Sequence, residues 1–168
     1  MGALLTDAIL QAGLNYDNVV LPRALRVRDT YPDAATTSGF LNTLKAKGHQ
    51  EVLSWNDEEK PSRLMRLATF LKDRNVETVE DLKKWLARPE SRRELRGIKG
   101  IGPKTADYLP ILAGLPSVAV DRHIKKFCAN AGINKNVARA VKEAAVELGT
   151  DEGCLDYSIW FYMSRRGT

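Results

Sequence analysis

Apolar residues recur at three- and four-residue spacing through almost the whole of this 168-residue chain, and that habit limits what it can fold into. Leu4, Leu5, Ala8 and Ile9 form one stripe, Val20, Ala24 and Leu25 another, Leu64, Leu67, Ala68 and Leu71 a third, and Val137, Val141, Ala144, Ala145 and Leu148 a fourth. A period near 3.6 lays such side chains along one face of a helix, which then has a single side to bury. Pro22, Pro32, Gly39, Gly48, Pro61, Pro89, Gly114, Pro116, Gly132 and Gly149 cut the stripes into lengths typical of helices. The spacing predicts about ten short helices and an all-α fold. Thr78 with Asp81 reads as a helix cap ahead of Leu82, Trp85 and Leu86, and Ser91 with Glu94 reads as a capping box opening a short basic helix. Ser117 to Val120 is strand-like but too short and isolated to seed a sheet. Pro110 has no N–H to offer the carbonyl of Ala106, so its helix is predicted to kink or end there. Neither an internal repeat nor a low-complexity linker divides the chain.

Charge narrows the partners. The net charge is +5 and the pI about 9.3, which leans toward a polyanion. Cys128 and Cys154 are the only cysteines and lie outside any C-x-x-C pair, so they supply neither a zinc knuckle nor the four ligands of an iron–sulfur cluster, and read as free thiols. No apolar run approaches the ~20 residues of a membrane span, and the N-terminal MGALLTDAIL lacks the basic start of a signal peptide. An intracellular protein is expected.

Most of the net charge sits in one place. Arg92, Arg93, Arg96, Lys99 and Lys104 against Glu94 give +4 within thirteen residues. They surround LRGIKGIGPKTADYL, Leu95 to Leu109, in which Gly97, Gly100 and Gly102 crowd one turn and Pro103 opens the next helix. Glycine tolerates positive φ and close approach by another molecule, while proline suits a first helical position. The N–H groups of Gly100 to Gly102 are expected to point outward beside a helix N-terminus, where an anion, phosphate above all, is favoured.

The hairpin, read on through Gly114 to Phe127 (GLPSVAVDRHIKKF), resembles the helix-hairpin-helix DNA glycosylases of the endonuclease III branch. The motif parts are Gly102 to Ala106, as Gly-x-Lys-Thr-Ala, then an apolar helix, then Val120, Asp121 and His123 as Val-Asp-x-His. The resemblance implies a two-lobed fold: a helical barrel over residues 1–120 containing the hairpin at about 91–113, a smaller C-terminal lobe over 121–168, and an active cleft between them. It implies Lys104 as nucleophile and Asp121 as the carboxylate beside it. It also implies DNA contacts from Arg96, Gly97, Lys99, Gly100, Gly102, Thr105, Arg122 and His123, with Lys125 and Lys126 as further phosphate candidates. The segment ILQAGLNYDNVVLPRALR looks like the one in which that family carries a gap-filling glutamine, here Gln11.

The chemistry requires such groups. A base-excision enzyme extrudes the damaged nucleotide and stabilises positive charge on its sugar while the bond from base to C1′ breaks. A deprotonated lysine can attack C1′, expel the base and form an imine to the opened sugar, from which loss of a C2′ proton cuts the strand. A nearby carboxylate stabilises the oxocarbenium character. The expected function is therefore a DNA glycosylase with AP-lyase activity on a damaged base, an oxidised pyrimidine by family default, or on an abasic site in duplex DNA. The alternatives are a monofunctional glycosylase for mismatched or deaminated bases, an 8-oxoguanine glycosylase, or a non-enzymatic DNA-binding module. No metal is expected in the chemistry and no iron–sulfur cluster, although the resemblance leaves room for a monovalent cation at the hairpin. The family's cluster follows a C-terminal helix that here looks like Leu155 to Arg166, and its DNA contact is expected to pass to Arg165 and Arg166. The family usually has another helix before Gln11, so the N-terminus is expected to be trimmed or replaced. Trp55, Trp85 and Trp160 read as core, with Trp55 the first candidate for a base pocket. A DNA-associated monomer is expected.

Overall fold

The apolar stripes become helices in the computed structural model, which describes residues 1–165. In chain order these are α1 (Gly2–Leu10), α2 (Leu21–Thr30), α3 (Thr37–Leu53), α4 (Glu59–Lys72), α5 (Val79–Leu86), α6 (Ser91–Arg96), α7 (Pro103–Leu112), α8 (Arg122–Asn130), α9 (Val137–Glu147) and α10 (Glu152–Arg165). A π-helical turn at Tyr16–Val20 leads into α2, and a 3₁₀ turn at Pro32–Ala35 leads toward α3. Among the described residues there is no strand, and Ser117 to Val120 runs as irregular chain.

Local chemistry sets several boundaries. Thr78 caps α5 through the predicted reciprocal box: its hydroxyl accepts from the Asp81 N–H at 3.1 Å, and its own N–H reaches the Asp81 carboxylate at 3.0 Å. The box predicted at Ser91 does not form. Ser91 is the first residue of α6 rather than its cap, and its buried hydroxyl donates backward to the carbonyls of Leu86 and Arg88. Glu94 is drawn outward to Arg74 and Arg88. As expected from Pro110, α7 ends near it, at Leu112 two residues on, where the N–H of Leu115 turns back to the Pro110 carbonyl at 2.8 Å. One missing hydrogen bond next to the helix end is offset by burial of Leu109 and Pro110.

Two apolar clusters hold these helices. The larger takes Leu5, Phe40, Leu53, Leu64, Leu67, Leu71, Leu82, Leu95 and Leu109 from α1 and α3 to α7, together with Ile101 from the glycine turn. The smaller takes Val118, Ile124, Cys128, Val141 and Ile159, chiefly from α8, α9 and α10. Polar contacts add to the packing: Arg92 of α6 to Asp107 of α7 at 3.2 Å, the Ser117 hydroxyl to the Asp107 carbonyl, and the Ala119 N–H to Asp156 of α10. Cys128 is buried and Cys154 exposed, both as free thiols. No helix among the described residues is long and apolar enough to cross a membrane.

Candidate active site

Lys104 is the second residue of α7, directly after Pro103 has fixed the helix start. Its Nζ lies 3.5 Å from Oδ2 of Asp121. Asp121 is the residue immediately before α8, and its Oδ1 accepts from the backbone N–H groups of His123 at 2.8 Å and Ile124 at 3.0 Å. One carboxylate oxygen is thus anchored at a helix N-terminus while the other faces the amine. The Lys104 side chain keeps 33% of its surface and Asp121 only 10%, so the amine is reachable and the carboxylate is held behind it. A reachable amine beside a fixed carboxylate can form a covalent bond to an electrophilic carbon while opposing charge is stabilised next to it.

A second carboxylate lies close to this pair. Asp156, on α10, is buried, and its Oδ2 accepts from the Ala119 N–H at 2.8 Å, which fastens the segment leading to Asp121. Burial, reinforced by the charge of Asp121, pushes the Asp156 carboxyl up to about 6, against the pull of the Ala119 N–H and of Lys104. One turn along α7 from Lys104, the Tyr108 hydroxyl donates to Asp7 of α1 at 3.2 Å, and Tyr16 donates to the other Asp7 oxygen at 3.0 Å. Burial raises Asp7 and also both phenols, which the Asp7 charge raises further. Tyr16 meets Trp160 of α10 edge-on at 5.7 Å.

The glycine turn lies just before Lys104. Of its three glycines only Gly100 has a positive φ, 92°, and a Cβ there would sit 2.7 Å from Cγ of Arg63. Gly97 is helical, and Gly102 is extended with open space around it. The Ile101 N–H, expected to point outward, instead closes the turn on the Ile98 carbonyl at 2.9 Å, while those of Gly100 and Gly102 have no hydrogen bond among the described residues. Arg93, Arg96 and Lys99 are exposed and make no salt bridge among the described residues, whereas Arg92 is spent on Asp107.

The comparisons bear on this geometry. A family described as Domain of unknown function (DUF8548) matches residues 5–164. The chain belongs to that family. Endonuclease III of Haemophilus influenzae is 34% identical to this member over 83 residues, which are 48% of the chain and 39% of that protein. The chain therefore matches well under half the length of that relative. No solved structure matches.

Other residues singled out in this DUF8548 chain divide by burial. Thr105 is 8% exposed and lies under the start of α7, below the surface shared by its neighbours. Gln11 follows α1 and is partly buried, and its Nε2 is enclosed without a hydrogen-bond partner. Arg122 is exposed and its Nε donates to Nε2 of His123 at 3.3 Å. Trp85 packs edge-on against Phe70, Trp55 carries Arg23 at 5.3 Å, and Trp160 is the indole that meets Tyr16. Arg165 stacks on Phe161, while Arg166 lies outside the described residues. In the turn, the Lys99 carbonyl accepts from Arg66 at 3.0 Å and the Ile98 carbonyl from the Ile101 N–H at 2.9 Å. Asp156 and Asp7 lie outside the motif positions that point to Lys104 and Asp121. The signal was a carboxylate on a packed face, since Asp156 precedes Ile159 by three residues and Met163 by seven.

Proposed function

We infer that this protein is a base-excision DNA glycosylase with AP-lyase activity. The observation that carries the reading is the Lys104–Asp121 pair, an amine 3.5 Å from a carboxylate whose other oxygen is tied to the start of α8. Its likeness over 48% of the chain to an endonuclease III supports the same reading. The residues 1–120 act as the barrel lobe and 121–168 as the smaller lobe, with the seam between them as the cleft for an extruded nucleotide.

In the proposed reaction the neutral Lys104 amine attacks C1′. A C1′–N bond to the enzyme forms as the bond to the base breaks, and the base leaves with a proton. Asp121 stabilises the positive charge that develops on the sugar. Ring opening gives an imine; loss of a C2′ proton then expels the 3′ phosphate, and water releases the unsaturated aldehyde from Lys104. No metal takes part. Arg93, Arg96 and Lys99, with the Gly100 and Gly102 N–H groups, hold backbone phosphates of the duplex. Oxidised pyrimidines are the proposed substrates.

Borohydride trapping tests this on duplexes carrying thymine glycol, uracil, 8-oxoguanine or an abasic site, with Lys104→Ala and Asp121→Asn beside the wild type. A covalent adduct on thymine glycol and abasic duplexes that disappears in Lys104→Ala is the expected result. Base loss without an adduct would mean a glycosylase that activates water. Intact DNA throughout would mean a binding module.

A further inference from the structure

Lys60 stands at the wrong end of its own helix. It is the second residue of α4, where the unpaired N–H groups of the first turn repel a cation, and it is half-buried. Burial and the neighbouring charge of Arg63 depress its ammonium below the ordinary lysine range, and Lys104 adds to the effect from α7, against Glu59 and Asp57. Something outside α4 must offset this. The Nζ lies 2.8 Å from the carbonyl of Ala12, 3.3 Å from that of Leu10 and 3.5 Å from that of Ile9. These are carbonyls at the C-terminus of α1, which lack partners within their helix and carry its negative end.

The turn so gathered carries Gln11, whose N–H donates to the Asp7 carbonyl and whose side-chain Nε2 has no partner. From Asp7 to Gln11 is one turn of α1, and from Tyr108 to Lys104 is one turn of α7 in the opposite chain direction. The Asp7–Tyr108 contact joins α1 to α7 one turn from each of these ends, and the charge of Lys104 acts on Lys60, which holds the end of α1. We propose that Lys60 is a positioning residue that clamps the C-terminal turn of α1 against the Lys104 end of α7 and so sets the geometry in which Lys104 reacts. The role in reaction rests on the function proposed above; the clamp itself does not.

The test uses the full chain as Lys60→Met, which removes the donors, and Lys60→Arg, which keeps charge and donors. Hydrogen exchange needs no activity: in Lys60→Met the Gln11 amide should exchange at least about tenfold faster, while amides of α5 and α9 keep their rates. Unchanged exchange at Gln11 overturns the clamp. On a duplex with one abasic site, the single-turnover trapping rate at saturating enzyme should fall about tenfold in Lys60→Met, with Kd changed by less than about twofold, and recover in Lys60→Arg. Faster exchange with an unchanged trapping rate would overturn the part played in the reaction. So would a loss confined to Kd. A wild type that traps nothing on any duplex overturns the proposed function, and with it that part, while exchange at Gln11 still decides the clamp.

Discussion

Gly39 and Gly100 are glycine for different physical reasons. A Cβ on Gly39 would lie 1.9 Å from the Asp33 carbonyl oxygen, a backbone atom that cannot step aside without moving the 3₁₀ turn. At Gly100 the obstacle is the Arg63 side chain, which can shift, but the φ of 92° remains unfavourable for any L residue. Gly39→Ala should therefore lose more than about 3 kcal/mol of unfolding free energy and Gly100→Ala about 1–2, measured by urea denaturation. Asp156 gives a second prediction at this scale. Its carboxyl is raised to about 6 in the folded chain from 3.8, so folding favours the neutral acid. That preference contributes stability below pH ~4 and is lost as pH rises past ~6. Asp156→Asn stays neutral throughout, so between those conditions it should lose about 2 kcal/mol less stability than the wild type. Asp7 and Asp107, also raised by burial, act with the same sign in both proteins, which is why the difference between the two is the informative quantity.

Helix ends carry the site at the next scale. Asp121 does two jobs with its two oxygens, holding the first N–H groups of α8 and facing Lys104. Asparagine can still accept at the cap but has no charge for the lysine; alanine can do neither. Asp121→Asn should remain within about 0.5 kcal/mol of the wild type in stability and Asp121→Ala should lose about 1–2, while both slow borohydride trapping at abasic sites. Thermal melts beside trapping rates separate the two jobs. Cap logic read from sequence worked at Thr78 and failed at Ser91 for a definable reason. The backbone ahead of α6 turns under itself, so the carbonyls of Leu86 and Arg88 were nearer to the Ser91 hydroxyl than the N–H groups ahead of it.

At the scale of the whole molecule, charge and burial are sorted onto different surfaces. Arg93, Arg96 and Lys99 stay exposed beside the glycine turn, while the carboxylates of Asp7 and Asp156 are buried. If the turn holds phosphates as proposed, the affinity for duplex DNA should fall steeply with salt. Arg96→Ala or Lys99→Ala should each make the slope of log affinity against log salt shallower by about 1. Fluorescence anisotropy across a salt series measures this. The chain by itself determined the helical class and the capped start of α5, because each follows from local periodicity or cap chemistry, whereas the placing of Asp121 at the head of α8 was implied by a family resemblance. Only the tertiary structure decided that Asp156 lies close to Lys104 and Asp121, that Asp7 joins Tyr16 to Tyr108, that Nε2 of Gln11 is enclosed, and that Lys60 belongs to α1 rather than to its own helix. Those contacts join residues as many as 101 positions apart, and their energetics depend on desolvation, which the sequence does not express until the helices have packed.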